Sequence, residues 1–323
     1  MKKFLVRILL FLTCILIMSS LLDFIISFNL KNNDEIKYKI WDSLYKDSIN
    51  ADIIIMGSSR AWRQYNTHII DSIQNVNSYN LGIDGSGFDR QILRYYTYER
   101  FNVRPNLIIQ NIDFLSFNGT FGYQREQFFP YFIFDRKLIS MYRNCEQFNV
   151  LELYIPCYRY IGYTKEIKKS FGLYGEAIDT LYKGYRPLNM KYNGKELREM
   201  KNISFKYSDK LKKEFEDYCA YVKSNNINIC FVYAPVYIEA TRKISNLTEM
   251  YNVYQTIATK YDIPILDYNF HTISYDSTNF YNATHLNKKG SILFSTELAH
   301  DLDSLGIFNV DKITYTKDHN TPN

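Results

Sequence analysis

Two kinds of hydrophobic pattern organise this chain. One is a long stretch near the N-terminus: residues 8–22 are continuously apolar or small, and 24–28 extend the run past Asp23. About 21 residues at ~1.5 Å each reach roughly 30 Å, one hydrocarbon thickness, so this stretch predicts a membrane-spanning helix. The other is a series of short β-branched and aromatic runs at 51–56, 76–81, 107–112, 227–234 and 263–266, with helical-period segments between most of them. Such runs, mostly apolar rather than strictly alternating, predict strands buried on both faces, as in a parallel sheet between two layers of helices.

The expected architecture is therefore α/β, a flavodoxin-like three-layer αβα sandwich with its functional groups beyond the C-terminal ends of the strands. Residues 1–30 read as the anchor, 31–50 as a stalk or first helix, 51–113 and 208–310 as the α/β domain, and 311–323 as a tail. The segment 114–207 breaks the βα rhythm and is too long for an ordinary connection, so it reads as an insertion or lid subdomain. It is crowded with aromatics, among them Phe121, Tyr123, Phe128, Phe129, Tyr131 and Phe132. Two roles are open for them: the subdomain's own core and membrane-facing surface, or the lining of a sugar-binding groove, since tyrosine offers a flat apolar face and a hydroxyl.

Lys2, Lys3 and Arg7 flank the N-terminal side of the apolar run. Positive charge is retained on the cytoplasmic side, which leaves the N-terminus in the cytoplasm and the domain outside. No Ala-x-Ala-like site follows the run, which favours an uncleaved anchor over a cleaved signal peptide. The formal net charge of +5 comes from scattered Lys and Arg; without a basic stripe, no nucleic-acid partner is expected. The five cysteines show no metal spacing, and no metal or other cofactor is expected. Cys145 with Cys157 is the one pair considered for a disulfide.

The first strand-like run ends in Met56-Gly57-Ser58-Ser59-Arg60, a tight turn that places a small nucleophile where a strand gives way to a helix. A glycine follows in Asn80-Leu81-Gly82-Ile83-Asp84-Gly85 and an asparagine in Gln110-Asn111-Ile112-Asp113. A histidine lies in Tyr281-Asn282-Ala283-Thr284-His285-Leu286-Asn287, ahead of the last amphipathic helix. Serine, glycine, asparagine and histidine in that order, each at an element's end, resemble the SGNH (GDSL-like) hydrolase superfamily. The C-terminal block is the most specific part, similar to the family's Asp-x-x-His with its His-Leu-Asn-x-x-Gly continuation through Gly290. Three positions depart from the pattern: Ser58 replaces the acid of Gly-Asp-Ser, Arg60 an apolar residue, and Asn282 the triad aspartate.

The resemblance implies Ser59 as nucleophile, His285 as general base and Asn282 as the group orienting the imidazole. It implies an oxyanion hole made by the backbone N–H groups of Ser59 and Gly82 and the side-chain amide of Asn111. Arg60 and Asp113 are candidate substrate-binding residues, Arg60 through a carboxylate, phosphate or acyl carbonyl; covering apolar surface is the other role open to Arg60, and bracing a loop to Asp113. Asn282 leaves two outcomes open. Asparagine in place of the aspartate of a serine triad lowers turnover by about 10⁴, chiefly through the wrong tautomer, whereas an asparagine carbonyl orients the histidine of Cys-His-Asn enzymes. Asp276 is a further candidate acid.

The anchor, the exported domain and the Gly-Ser-Ser block together resemble the membrane-anchored branch of the superfamily, such as the D-alanyl-lipoteichoic acid transfer proteins and the alginate O-acetylation proteins. That resemblance implies an O-acyl, in particular O-acetyl, transferase or esterase acting on a cell-envelope glycan. Its partners would be an envelope polysaccharide or acylated carrier and a membrane-bound O-acyltransferase. The alternative is a catalytically weak module of the same fold that binds a glycan or scaffolds an acylation complex.

Overall fold

The computed structural model describes residues 1–118, 124–145, 148–174 and 182–306; Phe121, Tyr123 and the tail at 311–323 lie outside the described residues. Strands β1 (Ile53–Met56), β2 (Ser78–Asn80), β3 (Leu107–Asn111), β4 (Asn228–Tyr233) and β5 (Ile265–Asp267) form one sheet in the order β2-β1-β3-β4-β5. Every pairing is parallel, with Ile53 opposite both Ser78 and Leu107.

Successive strand residues point to opposite faces, so an inner strand covered on both sides is apolar on both, as Ile53–Met56 of β1 is; the edge strands β2 (Ser78–Asn80) and β5 carry polar residues. Ile53, Ile55, Ile109 and Val232 pack with Tyr65 and Phe294 on one side, while Ile54, Met56, Ile108 and Phe231 pack with Phe215 and Tyr254 on the other. The helices before and within the first half are α1 (Lys2–Lys31), α2 (Ile36–Tyr45), α3 (Ser59–Gln64), α4 (Thr67–Gln74) and α5 (Phe88–Phe101). The insertion holds α6 (Arg136–Tyr142), α7 (Leu151–Tyr154), α8 (Thr164–Ser170) and α9 (Lys195–Glu199). Then follow α10 (Asp209–Ser224), α11 (Ile238–Thr241), α12 (Leu247–Tyr261) and α13 (Lys288–Ser304). Helices α3, α4 and α13 cover one face and α5, α10 and α12 the other, the expected three layers.

The strand order reverses direction between β1 and β3, and the crevice of such a sheet opens there, at the strands' C-terminal ends. The turn after β1 is tight. Gly57 sits at φ +149°, and a Cβ on it would lie 2.8 Å from both Ala61 Cβ and Asn111 Cβ, so only glycine lets β1 turn into α3 against β3. At the far edge, β5 begins two residues later than the apolar run predicts. Asp262 takes φ +51° and Ile263 N–H closes α12 on Ala258 O, and Pro264 then has no N–H to give a ladder.

In the insertion, Phe128, Phe129, Tyr131, Phe132, Tyr142 and Tyr160 are buried. They form one core with Tyr38 and Trp41 of α2, and Trp41 Nε1 donates to Gln127 Oε1 at 3.0 Å. All five cysteines are free. Cys145 Sγ faces the Asp89 carbonyl and Cys157 Sγ the Ser19 carbonyl, which corrects the disulfide considered between them. Helix α1 is long and apolar enough to cross a membrane; its N-terminal two thirds are open, and only Asp23, Ile26, Ser27 and Leu30 are buried.

Candidate active site

Ser59 is the first residue of α3, directly behind the Gly57 turn. The preceding Ser58 is the N-cap by position but makes no capping bond; its Oγ donates to Asp113 Oδ2 at 2.7 Å. The fully buried Asp113 carboxylate also accepts from Leu115 N–H (2.7 Å) and Asn111 Nδ2 (3.3 Å). Arg60 Nη2 lies 3.4 Å from Asp113 Oδ1. A buried carboxylate is tolerated only when its acceptor sites are met in this way, so Asp113 ties the serine turn to the end of β3.

Arg60 and Asp113 are thereby corrected as substrate-binding candidates. One residue beyond Ser59 the helix has rotated by about 100°, which turns Arg60 inward. It is 3% exposed, with its guanidinium over the rings of Phe114 (4.6 Å) and Tyr233 (5.7 Å).

His285 arrives from a compact loop. Tyr281 N–H donates to His285 O, and Asn287 Nδ2 donates to the carbonyls of Thr278 and Phe280 while Asn287 Oδ1 caps α13 at Gly290 N–H. The result places His285 Nε2 2.7 Å from Ser59 Oγ. On the far side of the ring, Nδ1 is 3.0 Å from Asn282 Oδ1. That same oxygen accepts the backbone N–H of Thr284 (3.0 Å) and of His285 (2.9 Å). Two backbone donors can converge only on an acceptor, so the atom facing the ring is the amide oxygen and not its NH₂. An acceptor oxygen at this distance favours the tautomer with its hydrogen on Nδ1, which turns the Nε2 lone pair to the serine hydroxyl, the form a general base needs. Thr284 Oγ1, 3.0 Å from Nδ1, shares that hydrogen, and the Tyr281 ring stacks on the imidazole with centroids 5.4 Å apart. Asp276 is exposed and caps its own turn at Thr278, away from the histidine.

Burial first, and the charges of Arg60 and Arg63 second, pull the His285 pKa down from 6.5 to about 3. Solvent still reaches part of the residue, which moderates the fall without reversing it. The imidazole is neutral at ordinary pH, and among the described residues no carboxylate touches it.

The expected oxyanion donors are corrected in part. Gly82 N–H is committed to Asn80 Oδ1 (2.9 Å), and a Cβ there would lie 2.5 Å from Trp62 N: this glycine lets the β2 turn pack on α3. Asn111 gives Nδ2 to Asp113 and takes the Tyr65 hydroxyl on Oδ1 (2.9 Å), facing the core. The backbone N–H of Ser59 and that of Gly85 donate to no described residue, and both residues line a cavity of about 360 Å³ with Asp84, Ser86, Leu115 and Gln124. Gly85 is in the same six-residue block as Gly82, and its φ of +61° is a signal a Gly-x-x-Gly turn carries. Burial raises the Asp84 pKa against the lowering effect of Arg63 and Arg186.

A second, wider groove of about 900 Å³ opens on the other side of the histidine loop. Its walls include Leu115, Tyr192, Glu196, Tyr281, Asn282 and Thr284. Leu115 borders both spaces, so the Ser59–His285 pair sits between a small pocket and an open groove.

No family model matches the chain, and no curated protein matches it. Solved structures do. A proposed acylhydrolase of Bacteroides fragilis NCTC 9343 is 11% identical over 82% of this chain and 93% of its own, with a TM-score of 0.39. A GDSL-like lipase of Bacteroides thetaiotaomicron VPI-5482 is 9% identical over 77% and 88%, with a TM-score of 0.35. A Streptococcus pneumonia protein described as a candidate platelet activating factor is 12% identical over 85% and 94%, with a TM-score of 0.44. At such identities the chemistry has to be read from this chain's own side chains.

Proposed function

We propose that the protein is a membrane-anchored serine esterase or O-acyltransferase that forms an acyl-enzyme on Ser59 and acts on a cell-envelope glycan, with O-acetyl as the expected group. The observation that carries this reading is the contact geometry: His285 Nε2 lies 2.7 Å from Ser59 Oγ, while Nδ1 faces, at 3.0 Å, the Asn282 Oδ1 that also accepts two backbone N–H groups.

In the first half-reaction Ser59 Oγ bonds to the ester carbonyl carbon while its proton passes to His285 Nε2. The carbonyl oxygen becomes an oxyanion facing the N–H groups of Ser59 and Gly85, with the Arg60 charge behind the turn. Collapse breaks the ester bond, and Nε2–H returns the proton to the departing alcohol. Water or a sugar hydroxyl then attacks the acyl-enzyme by the same steps in reverse. The two spaces suit a short acyl group on the Ser59 side and an extended chain in the groove, where Tyr192 and Tyr281 offer ring faces. An acylated carrier and a membrane-bound O-acyltransferase are the partners this reading calls for.

One observation favours the weaker alternative, a glycan-binding or scaffolding module. An imidazole with its pKa near 3 and, among the described residues, no carboxylate beside it is a poor proton acceptor. A fluorophosphonate probe separates the two. The enzyme reading expects covalent labelling of the wild type and none of Ser59→Ala; an unlabelled wild type that still binds glycan would leave the binding module.

A further inference from the structure

The last third of α1 is built into the insertion. Asp23 pairs with Arg159 at 2.6 Å and accepts Cys157 N–H at 3.0 Å. Ser27 Oγ bonds Tyr160 OH at 2.8 Å, Asn29 Nδ2 donates to Ser170 O, and the Phe24 ring meets Phe134. A helix of 30 residues is about 45 Å long against roughly 30 Å of hydrocarbon, so about ten residues stand clear of it. Those ten correspond to the docked part. Cys157 Sγ reaches the Ser19 carbonyl, which sets the loop around residue 157 at the boundary of the apolar layer.

The surface around this junction is apolar and basic. Tyr154, Ile161 and Leu173 are 68%, 71% and 75% exposed, and Phe134, Ile155 and Phe171 are exposed beside them. All lie in or next to segments that touch α1. The acidic side chains described in 124–174 are turned inward: Glu126 and Glu166 to Lys37, Asp135 to Arg100, Glu152 to Arg125. Arg136, Lys137, Arg143, Lys165 and Lys168 are left exposed. A water-facing surface mixes signs and scatters its large apolar side chains; an apolar face rimmed by one positive sign is the signature of a lipid interface.

We propose that residues 124–174 form a platform seated in the headgroup layer of the bilayer that α1 crosses, with Ile161 and Leu173 reaching the acyl boundary and Lys165 and Lys168 against anionic headgroups. The platform fixes the domain's orientation on the membrane instead of leaving it on a swinging tether. This rests on the anchored reading of α1 in the proposed function.

The test uses the full chain in nanodiscs of phosphatidylcholine and phosphatidylglycerol carrying brominated acyl chains. Ile161→Trp and Leu173→Trp are compared with Phe270→Trp, an exposed site in the α/β half, over the buried Trp41 and Trp62 background. Quenching by about two-fold at 161 and 173, and little at 270, is expected for side chains at an acyl boundary. Incorporated protein with no quenching at 161 and 173 would overturn the platform and point to a partner protein covering this face. Quenching at all three sites alike would overturn its localisation. Quenching unchanged by removing phosphatidylglycerol, or by Lys165→Glu with Lys168→Glu, would overturn the headgroup contact. Failure to incorporate, or release by alkaline carbonate, would instead count against the anchor itself.

Discussion

Asn282→Asp is the substitution on which the site's logic turns. The aspartate keeps an oxygen for Thr284 N–H, His285 N–H and His285 Nδ1–H, all within 2.9–3.0 Å in the wild type, so the loop and melting temperature should be preserved. What changes is charge. A carboxylate about 4 Å from the imidazolium centre at an effective dielectric constant near 20 is worth about 4 kcal/mol, or about 3 pKa units. That carries His285 from about 3 back toward its ordinary range. Half to all of this stabilisation should appear in the transition state, giving about 2–4 kcal/mol and a rate gain of roughly 30- to 10³-fold. The gain should fall short of the ~10⁴ that separates aspartate from asparagine in a serine protease, because most of that difference is a tautomer defect which the convergent backbone donors here already prevent. Initial rates of p-nitrophenyl acetate hydrolysis measure it. A rise of 10⁴ or more would mean that the wild-type amide nitrogen faces the ring, and an unchanged rate would mean that Asn282 does not govern the histidine.

Four further outcomes are expected. Because His285 is held below 6.5 and acts as its neutral form, kcat/KM should stay level as pH falls through 6.5 and decline only further toward acid; a midpoint at 6.5 would contradict the electropositive, buried site. The same depression means the unfolded chain binds the extra proton first, so this group's share of stability is full above pH 6.5 and is lost as pH falls from 6.5 toward 3. Ser58→Ala removes the 2.7 Å bond to the buried Asp113 and should cost about 1–3 kcal/mol in urea unfolding, with Ser59 labelling slowed as the turn loosens. Gly57→Ala forces a Cβ to 2.8 Å from two others at φ +149° and should destabilise by at least 1–3 kcal/mol; a wild-type melting curve would show that the β1–α3 turn is laxer than described.

The inner strands β1, β3 and β4 are legible in the sequence because a strand covered on both faces is mostly apolar, and that rule needs no tertiary information; the edge strands β2, Ser78–Asn80, and β5, only partly buried, follow it least. The serine and histidine are legible for a similar reason: each sits at an element's end marked by local turn chemistry. What is not legible depends on partners far along the chain. The inward turn of Arg60 is set by Phe114, Asp113 and Tyr233, and no local pattern announces it. The Gly82 N–H, by contrast, is taken locally, by the Asn80 side chain two residues before it, an Asx-type contact that the Asn80-Leu81-Gly82 sequence itself signals. The orientation of the Asn282 amide is likewise local, since both backbone donors follow within three residues, and an Asx-type turn before the histidine is its signal.

The most direct test of the central claim is mass spectrometry of the wild-type protein quenched in acid during turnover of an acetyl ester. A single acetyl group is expected on the peptide holding Ser59, accumulating in wild type and absent from both Ser59→Ala and His285→Ala. Ester turnover with no acyl group on Ser59, or an acetyl group that persists undiminished in His285→Ala, would contradict it.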